Sequence, residues 1–400
     1  MDFTLSERET YFRDRVRDFI QTQIVPRQAE YERQHHEGDP WKVLPVIEEV
    51  KAKAKEAGLW NFFMPPHSGQ HHVDDTFEFE GTQLTNLEYA LCAEEMGKIG
   101  WASEVFNCSA PDTGNMEVLH RYGTREQKER WLPGITSGET IIAVAMTEPG
   151  AGSDLAGIRT SAVRDGDDWI LNGSKTFISS GINSDLVVVV TRTDPDAGHK
   201  GFTLFVVERD MPGFTRGRKL DKMGMHAQDT AELHFENVRV PKANLLGEEN
   251  KGFYHLMQNL PSERLSITIS AIAGARETWR QTLQYAKDRK AFGQPIGSFQ
   301  HNRFLLAEMD TELDVTEQYV DRCLQAVVDG ELTAVEAAKA KWWATEVAKK
   351  VVDQCLQLHG GYGWMMEYRV CRDYVDGRIM TIFGGTTEIM KEIIGRDLGL

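Results

Sequence analysis

Apolar and polar positions alternate with three different periods along the chain. Residues 1–140 carry a helical period. Ser6 and Glu9 form a capping-box pair ahead of Phe12, Val16, Phe19 and Ile20, which share one helical face. "NLEYALCAEEMGKIG" and "NMEVLHRYGTREQKERWLPGI" continue in this style, with glycine stops at Gly100 and Gly123. Ahead of both, "MPPHSGQHHVDDTFEFEGTQ" is rich in Pro, Gly and His and reads as a loop. Residues 141–248 change period. "DLVVVVTRT", "GFTLFVVERD" and "AELHFENVRV" are β-branched, aromatic or alternating, and "MPGF" reads as a turn between strands. In "DDWILNGSKTFIS" the pair Asn172-Gly173 predicts a hairpin between two short strands. No helix here is long enough for βαβ units, so a small, mostly antiparallel β-domain is predicted. Residues 249–400 are helical again. Leu265, Ile269, Ile272, Trp279, Leu283 and Ala286 form a stripe, and an alanine-rich helix ends at a predicted cap, Gly360-Gly361. The layout is α, then β, then an α-bundle, an α+β chain.

One stretch breaks the pattern. "IMTIFGGTTEIM", residues 379–390, places Gly384 and Gly385 inside an apolar run. Each glycine costs about 1 kcal/mol against alanine in a helix interior, so something must pass close to the backbone there.

Composition narrows the classes. The chain has 400 residues, 41% apolar and 26% charged, as in an ordinary globular protein. A net charge of −16 argues against nucleic-acid or anionic-membrane partners. No apolar run approaches the ~18 residues of a membrane span. The N-terminus "MDFTLSERETYF" is charged from residue 2 and has no secretory apolar region. Cys92, Cys108, Cys323, Cys355 and Cys371 are scattered and form no C-x-x-C pair. Reduced thiols and a cytoplasmic location are therefore expected.

Four places offer chemistry. "MTEPGAGSD", residues 146–154, is a polar glycine-rich loop after an apolar run. It lets backbone approach a flat or anionic ligand, and it equally suits a tight turn. It is not the dinucleotide fingerprint, because position 155 is Leu. In "RKAFGQPIGSFQ", residues 289–300, Arg289 and Lys290 can hold a diphosphate with Phe292 against a ring. The same cations also suit a helix C-terminus. Glu263 in "LPSERL" follows Pro261, which marks a helix start or a break, where a carboxylate often only matches the helix dipole. His67, His71, His72, Asp74 and Asp75, like His35 and His36, lack metal-ligand spacing and read as solvated loop, so no metal is expected.

The pieces "MTEPGAGSDLAGIRT", "LNGSKTFISSG", "DRKAFGQPIGSFQ", "LHGGYGWMMEYRVCRD" and "IFGGTTEIMKEIIGRDL" occur in this order. Together they resemble the acyl-CoA dehydrogenase family over nearly the whole chain. The resemblance implies a helical N-terminal domain, a small β-barrel middle domain and a C-terminal four-helix bundle. It implies FAD bound non-covalently and oxidation of the Cα–Cβ bond of an acyl-CoA thioester, as in fatty-acid β-oxidation. Electrons would pass to an electron-transfer flavoprotein. A homo-oligomer, a tetramer built from dimers, is also implied.

By the same resemblance, Met146, Thr147, Gly152 and Ser153 contact the cofactor, with Ser153 also at the acyl-CoA. Phe177 stands where many members have Trp beside the flavin ring, and Ser179 where many have Thr. Arg289, Phe292 and Gln300 reach the FAD of a neighbouring subunit. Gln357, Gly360 and Gly361 lie along a cofactor diphosphate or ribityl chain, and Thr386 and Glu388 close the site. Many members carry their catalytic glutamate at Gly384. The long-chain and isovaleryl branches place it on a bundle helix, at the position of Glu263. Glu263 is therefore expected to be the base, with Gly384 giving it room and a backbone N–H to polarise the thioester carbonyl. Arg264 and Gly385 are expected at the substrate, Arg264 facing the CoA or a carboxylate partner. Residues 105–123 resemble large multidomain members associated with unusual or hydroxylated acyl groups. Two other readings share the resemblance: an oxidase or flavin oxygenase using O2, and a non-catalytic acyl-CoA-binding scaffold.

Overall fold

A computed structural model of the chain describes residues 5–39, 42–62 and 84–400. The predicted loop at 64–83, with His67, His71, His72, Asp74 and Asp75, lies outside the described residues.

Helices come first: α1 (Glu7–Phe19), α2 (Gln28–Glu37), α3 (Pro45–Glu56), α4 (Asn86–Gly97), the single turn α5 (Ala102–Val105), α6 (Asp112–Tyr122) and α7 (Arg125–Ser137). The Ser6–Glu9 capping box forms in both directions: Glu9 N–H donates to Ser6 Oγ at 3.2 Å and Ser6 N–H to Glu9 Oε2 at 2.6 Å. Gly123 ends α6 as expected, whereas α4 stops at Gly97, three residues before Gly100. His35 and His36 lie on α2, not in a loop.

The strands are β1 (Ile142–Ala145), β2 (Ser161–Asp165), β3 (Asp168–Ser179), β4 (Leu186–Arg192), β5 (Phe202–Glu208), β6 (Phe214–Lys219), β7 (Thr230–Val240) and β8 (Leu245–Leu246). They form one sheet in the order β6-β7-β3-β2-β4-β5-β8, with β1 parallel to β4. The end strands β6 and β8 do not pair, so the barrel does not close. The sheet still curls, because Phe214, Leu233, Trp169, Val187 and Phe205, from strands across that order, share one core. Leu186, Val188 and Val190 of β4 turn the other way, into the core built by α1, α3, α6 and α7. The continuous valine run of β4 is thus buried on both faces.

The predicted hairpin is wrong. β3 runs straight through Asn172-Gly173, and the turn lies at Gly166-Asp167 instead, where Asp165 pairs with Asp168. Gly173 sits in a bulge, with φ +149°, and a Cβ there would stand 2.5 Å from Thr160 Oγ1. The glycine serves close packing rather than a reversal.

The last region holds α8 (Gly252–Asp288), a short hairpin of β9 (Lys290–Ala291) and β10 (Gln294–Pro295), then α9 (Gln300–Val328), α10 (Ala334–His359), α11 (Arg369–Gly377) and α12 (Thr387–Asp397). Ile272, Met309, Leu313, Val351 and Val370 fill its core. A second core joins Ala90 and Ala93 of α4 to Leu265, Val320 and Ala340 and so locks the two helical regions together. Among the described residues no helix is long and apolar enough to cross a membrane.

Candidate active site

α8 begins nine residues before Pro261 and passes through it, so Pro261 neither starts nor ends a helix. The missing bond costs about 3 kcal/mol in a helix interior. Packing on both sides offsets it, with Leu256 in the N-terminal core and Leu265 in the bundle. Glu263 therefore sits mid-helix, away from any N-terminal dipole. Its Oε1 accepts from Asn259 Nδ2 at 3.4 Å, one turn earlier. Across the interface, a Cβ at Gly114 of α6 would stand 2.8 Å from that same oxygen, so the carboxyl lies against bare backbone. Burial lifts the Glu263 carboxyl above its usual range, with Asn259 and Arg264 pulling the other way.

The double glycine lies beside the next turn of α8. Gly384 and Gly385 have φ +63° and +101°, values open to glycine and strained for other residues. A Cβ on Gly384 would come within 2.5 Å of Ile267 Cδ1, one helical turn from Glu263. That helix is what passes close to "IFGGTT". Two cations hold the turn: Arg264 Nε donates to the Gly384 carbonyl at 3.3 Å, and Lys341 Nζ to the Gly385 carbonyl at 2.7 Å. Arg264, expected to face CoA or a carboxylate partner, is buried and turned inward. Burial, helped by Arg264, brings the Lys341 ammonium down to about 8. Thr386 caps α12 by accepting from Ile389 N–H at 3.2 Å, and Glu388 in its first turn is exposed.

On the sheet side, Met146 and Thr147 follow β1. The Met146 carbonyl accepts from Lys175 Nζ at 3.0 Å and the Thr147 carbonyl from Thr176 N–H at 2.9 Å. Below them Lys175 and Glu148 form a buried ion pair at 2.9 Å. Glu148 also accepts from the N–H groups of Arg159 and Thr160 at 2.7 and 2.9 Å. Burial pulls Lys175 down to about 8, against Glu148. Burial alone would raise Glu148, but Lys175, Thr160 and Arg159 hold it below the usual carboxylate range. Above this floor Phe177 is 68% exposed with φ +59°, at the second bulge of β3. Ser179 ends the same strand, and Gly152 and Ser153 are exposed in the loop before it.

A third group lies at the far end of α8. Arg289 caps the helix and sits over the Tyr362 ring at 5.6 Å. Lys290 belongs to β9, so the stretch is more than a cation-rich helix end. Phe292 and Gly293, with φ +51° and +81°, form the hairpin tip, which leaves Phe292 95% exposed. Gln300, Gln357, Gly360 and Gly361 are exposed as well. A Cβ at Gly360 or Gly361 would meet nothing within 4 Å. Among the described residues, no hydrogen bond or ion pair links the Glu263 group to the Met146–Ser179 group.

Three family models match the chain: acyl-CoA dehydrogenase N-terminal domain over residues 6–139, middle domain over 143–238 and C-terminal domain over 250–399. The mitochondrial long-chain specific acyl-CoA dehydrogenase of Mus musculus is 44% identical, covering 98% of this chain and 87% of that protein. The chain belongs to the acyl-CoA dehydrogenase family. The crystal structure of acyl-CoA dehydrogenase from Geobacillus kaustophilus matches with a TM-score of 0.87 at 43% identity, over 100% of both chains. Butyryl-CoA dehydrogenase from Megasphaera elsdenii matches with a TM-score of 0.85 at 33% identity, also over 100% of both. The protein is thus an acyl-CoA dehydrogenase with the helical, sheet and helical regions of its family.

The acyl-CoA dehydrogenases are flavoproteins, and the open face of this one suits a flat, anionic group. Phe177 offers a ring to a planar partner from a backbone conformation that its own strand does not need. Gly360 and Gly361 leave bare backbone in the open. Sequence reasoning missed four buried or half-buried charges around the candidate site. Lys341 falls on the buried alanine stripe with Ala337 and Ala344, where a charge is out of place, and that pattern was readable. Glu148, Lys175 and Glu117 meet partners far along the chain and left no local sign. Glu117 on α6 also feels the Asn259 amide, which favours its charged form. Glu32, His35 and His36 bring one ligand atom each within 4.8 Å of one another. However, Glu32 Oε1 already accepts from Gln28 at 2.7 Å and pairs with Arg372 at 3.0 Å, which neutralises it.

Proposed function

We propose that this dehydrogenase oxidises the Cα–Cβ bond of an acyl-CoA thioester with Glu263 as base and FAD as cofactor. The observation that carries the reading is the placement of Glu263. Position 384 has no side chain, and the chain's alternative carboxylate lies on α8 within a helical turn of Ile267, the residue in contact with Gly384. A partly desolvated carboxylate with a raised pKa is a stronger base toward a weakly acidic α-proton. Arg264 and Lys341 fix the Gly384 and Gly385 carbonyls inward, which holds the turn rigid while the Gly384 N–H polarises the thioester carbonyl.

FAD, when bound, supplies the hydride acceptor. Met146, Thr147, Gly152, Ser153, Phe177 and Ser179 hold its ring side, with Ser153 also at the acyl-CoA. Arg289, Phe292 and Gln300 hold a neighbouring subunit's cofactor in a homo-oligomer, Gln357, Gly360 and Gly361 lie along a cofactor diphosphate or ribityl chain, and Thr386 and Glu388 close the site. The exposure of that second set in a single chain supports the partner-subunit reading. Gly385 borders the substrate. Electrons leave to an electron-transfer flavoprotein.

The deciding experiment is an anaerobic visible spectrum of the purified protein with saturated acyl-CoAs of graded length. Bleaching of the flavin band by one length supports the reading and names the substrate class. A flavin band that no acyl-CoA bleaches overturns it. Oxygen consumption during turnover separates a dehydrogenase from an oxidase.

A further inference from the structure

The base does not stand alone. On α6, Glu117 follows Gly114 by one helical turn, and Gly114 is the bare backbone on which the Glu263 carboxyl rests. On α8, Asn259 precedes Glu263 by one turn and serves both acids. Its Nδ2 donates to Glu263 Oε1 at 3.4 Å, and it also acts on the Glu117 carboxyl, favouring its charged form. Two facing helices thus bring two carboxyl groups to one amide. Other charged or titratable groups surround them on each packed element. Arg121 lies on α6 itself, one turn beyond Glu117. Tyr89 and Cys92 come from α4, Cys108 from the segment before α6, and Arg264 from α8. Arg121 Nε is buried with no hydrogen-bond partner among the described residues, so this cation is not consumed elsewhere through that atom.

We propose that Glu117 is a positioning residue for the base: through the shared Asn259 amide and its own charge it holds Glu263 in place and sets the pH at which Glu263 is free to take the α-proton. The inference rests on Glu263 being that base. Two half-buried acids near one another resist ionising together, so they lose protons in two steps that belong to the pair. The surroundings agree with this. Burial pushes the Glu117 carboxyl up to about 7, Arg121 and Asn259 oppose it, and Glu263 adds to it. A pair sharing one proton is then favoured to higher pH than in two free carboxyls. That state keeps the site from carrying two uncompensated charges, and it leaves one carboxylate available to substrate.

The test is the pH dependence of anaerobic flavin reduction by a saturating acyl-CoA. Glu117→Gln keeps the shape and the hydrogen bond but removes the charge. Its apparent pKa is expected to fall by roughly one unit, as for loss of a nearby like charge, and its profile to show one ionisation. Glu117→Asp retains the charge and should return the profile toward wild type. A Glu117→Gln enzyme slowed equally at every pH, with an unmoved pKa, would overturn the proposal. A second measurement does not depend on that variant folding. The Glu117 component of the infrared band of protonated carboxyls should be lost at lower pH in Glu263→Gln holoenzyme than in wild type, because Glu117 has lost its charged neighbour. An unchanged titration counts against the pairing. Glu263→Gln that still reduces flavin at wild-type rate would sink the base assignment instead, so the two failures are distinct.

Discussion

The two halves of the site are built in opposite ways. Around Glu263 the contacts are close: Asn259 and Gly114 hold the acid, while Arg264 and Lys341 hold the glycine turn. On the face expected to meet the cofactor, Phe177 and Phe292 stand in the open on left-handed backbone, and Gly360 and Gly361 have nothing near them. The first half is complete in a single chain. The second has shape but no partner. A group that must take a proton from a weak acid needs fixed geometry and a controlled dielectric, which the chain's own packing supplies. A group that must receive a large exchangeable ligand needs surface left free, at some cost in backbone strain. If this contrast is correct, changes in the first half alter chemistry with flavin retained, and changes in the second alter flavin binding with the fold retained.

The largest expected effect is on chemistry. Glu263→Gln should slow anaerobic flavin reduction by ~10²–10⁴-fold, the range for removing a positioned acid-base group. Flavin absorbance should stay intact, and thermal stability should not fall, because a neutral amide costs less to bury than a carboxylate. Loss of flavin together with activity would break the contrast between the halves. Next in size is the floor beneath the cofactor face. Glu148→Gln leaves Lys175 without its counter-charge in the sheet interior. Breaking such a pair costs about 3–5 kcal/mol. The loss is capped here because Lys175, already brought down to about 8, can shed its proton instead. The denaturant midpoint should therefore fall, and fall less above pH 8 than at pH 6.

A smaller effect links stability to pH. Glu117 and Asp112 are both raised by burial to about 7. The unfolded chain releases these protons near the ordinary carboxylate values, around pH 4. Between that pH and about 7 the folded state binds more protons, so stability falls as pH rises through the window. Denaturant midpoints of the holoenzyme at pH 5 and pH 7.5 should show that fall. Glu117→Gln should lessen the slope without removing it, since Asp112 remains. A slope unchanged by the substitution would mean that Glu117 ionises as freely in the fold as outside it.

Much of the layout was legible because it depends on local period. The Ser6 capping box, the apolar run of β4 and the stripe along α8 follow from spacing alone. The glycine pair at 384–385 was legible as an anomaly, since glycine inside an apolar run is costly in any fold. The failures share one cause. Asn172-Gly173 has hairpin chemistry, but Thr160 on the neighbouring segment claims the space where a Cβ would be, and the reversal moved to Gly166. Pro261 has the look of a helix start, yet the packing of Leu256 and Leu265 carries the helix through it. Glu117, Glu148 and Lys175 look like surface charges in sequence, and only contacts made across the fold bury them. Local chemistry sets what a segment prefers; the partner it meets decides whether the preference survives.

The smallest effect tests the contrast most directly. Phe177 holds φ +59° in the middle of a strand and exposes most of its ring, so it spends backbone strain of order 1 kcal/mol without packing in return. Phe177→Gly relieves that strain, because glycine adopts this conformation freely, although it also loosens the unfolded chain. In the flavin-free protein the two effects nearly cancel, and the melting temperature should move by no more than a degree or two. Flavin affinity should drop by about tenfold, the worth of one ring contact. Phe177→Ala separates the causes: it loses the ring and keeps the strain, so it should bind flavin as weakly as Phe177→Gly and melt slightly lower. If either variant melts far below wild type while binding flavin normally, Phe177 is a structural residue. The open face would then belong to the fold rather than to the ligand.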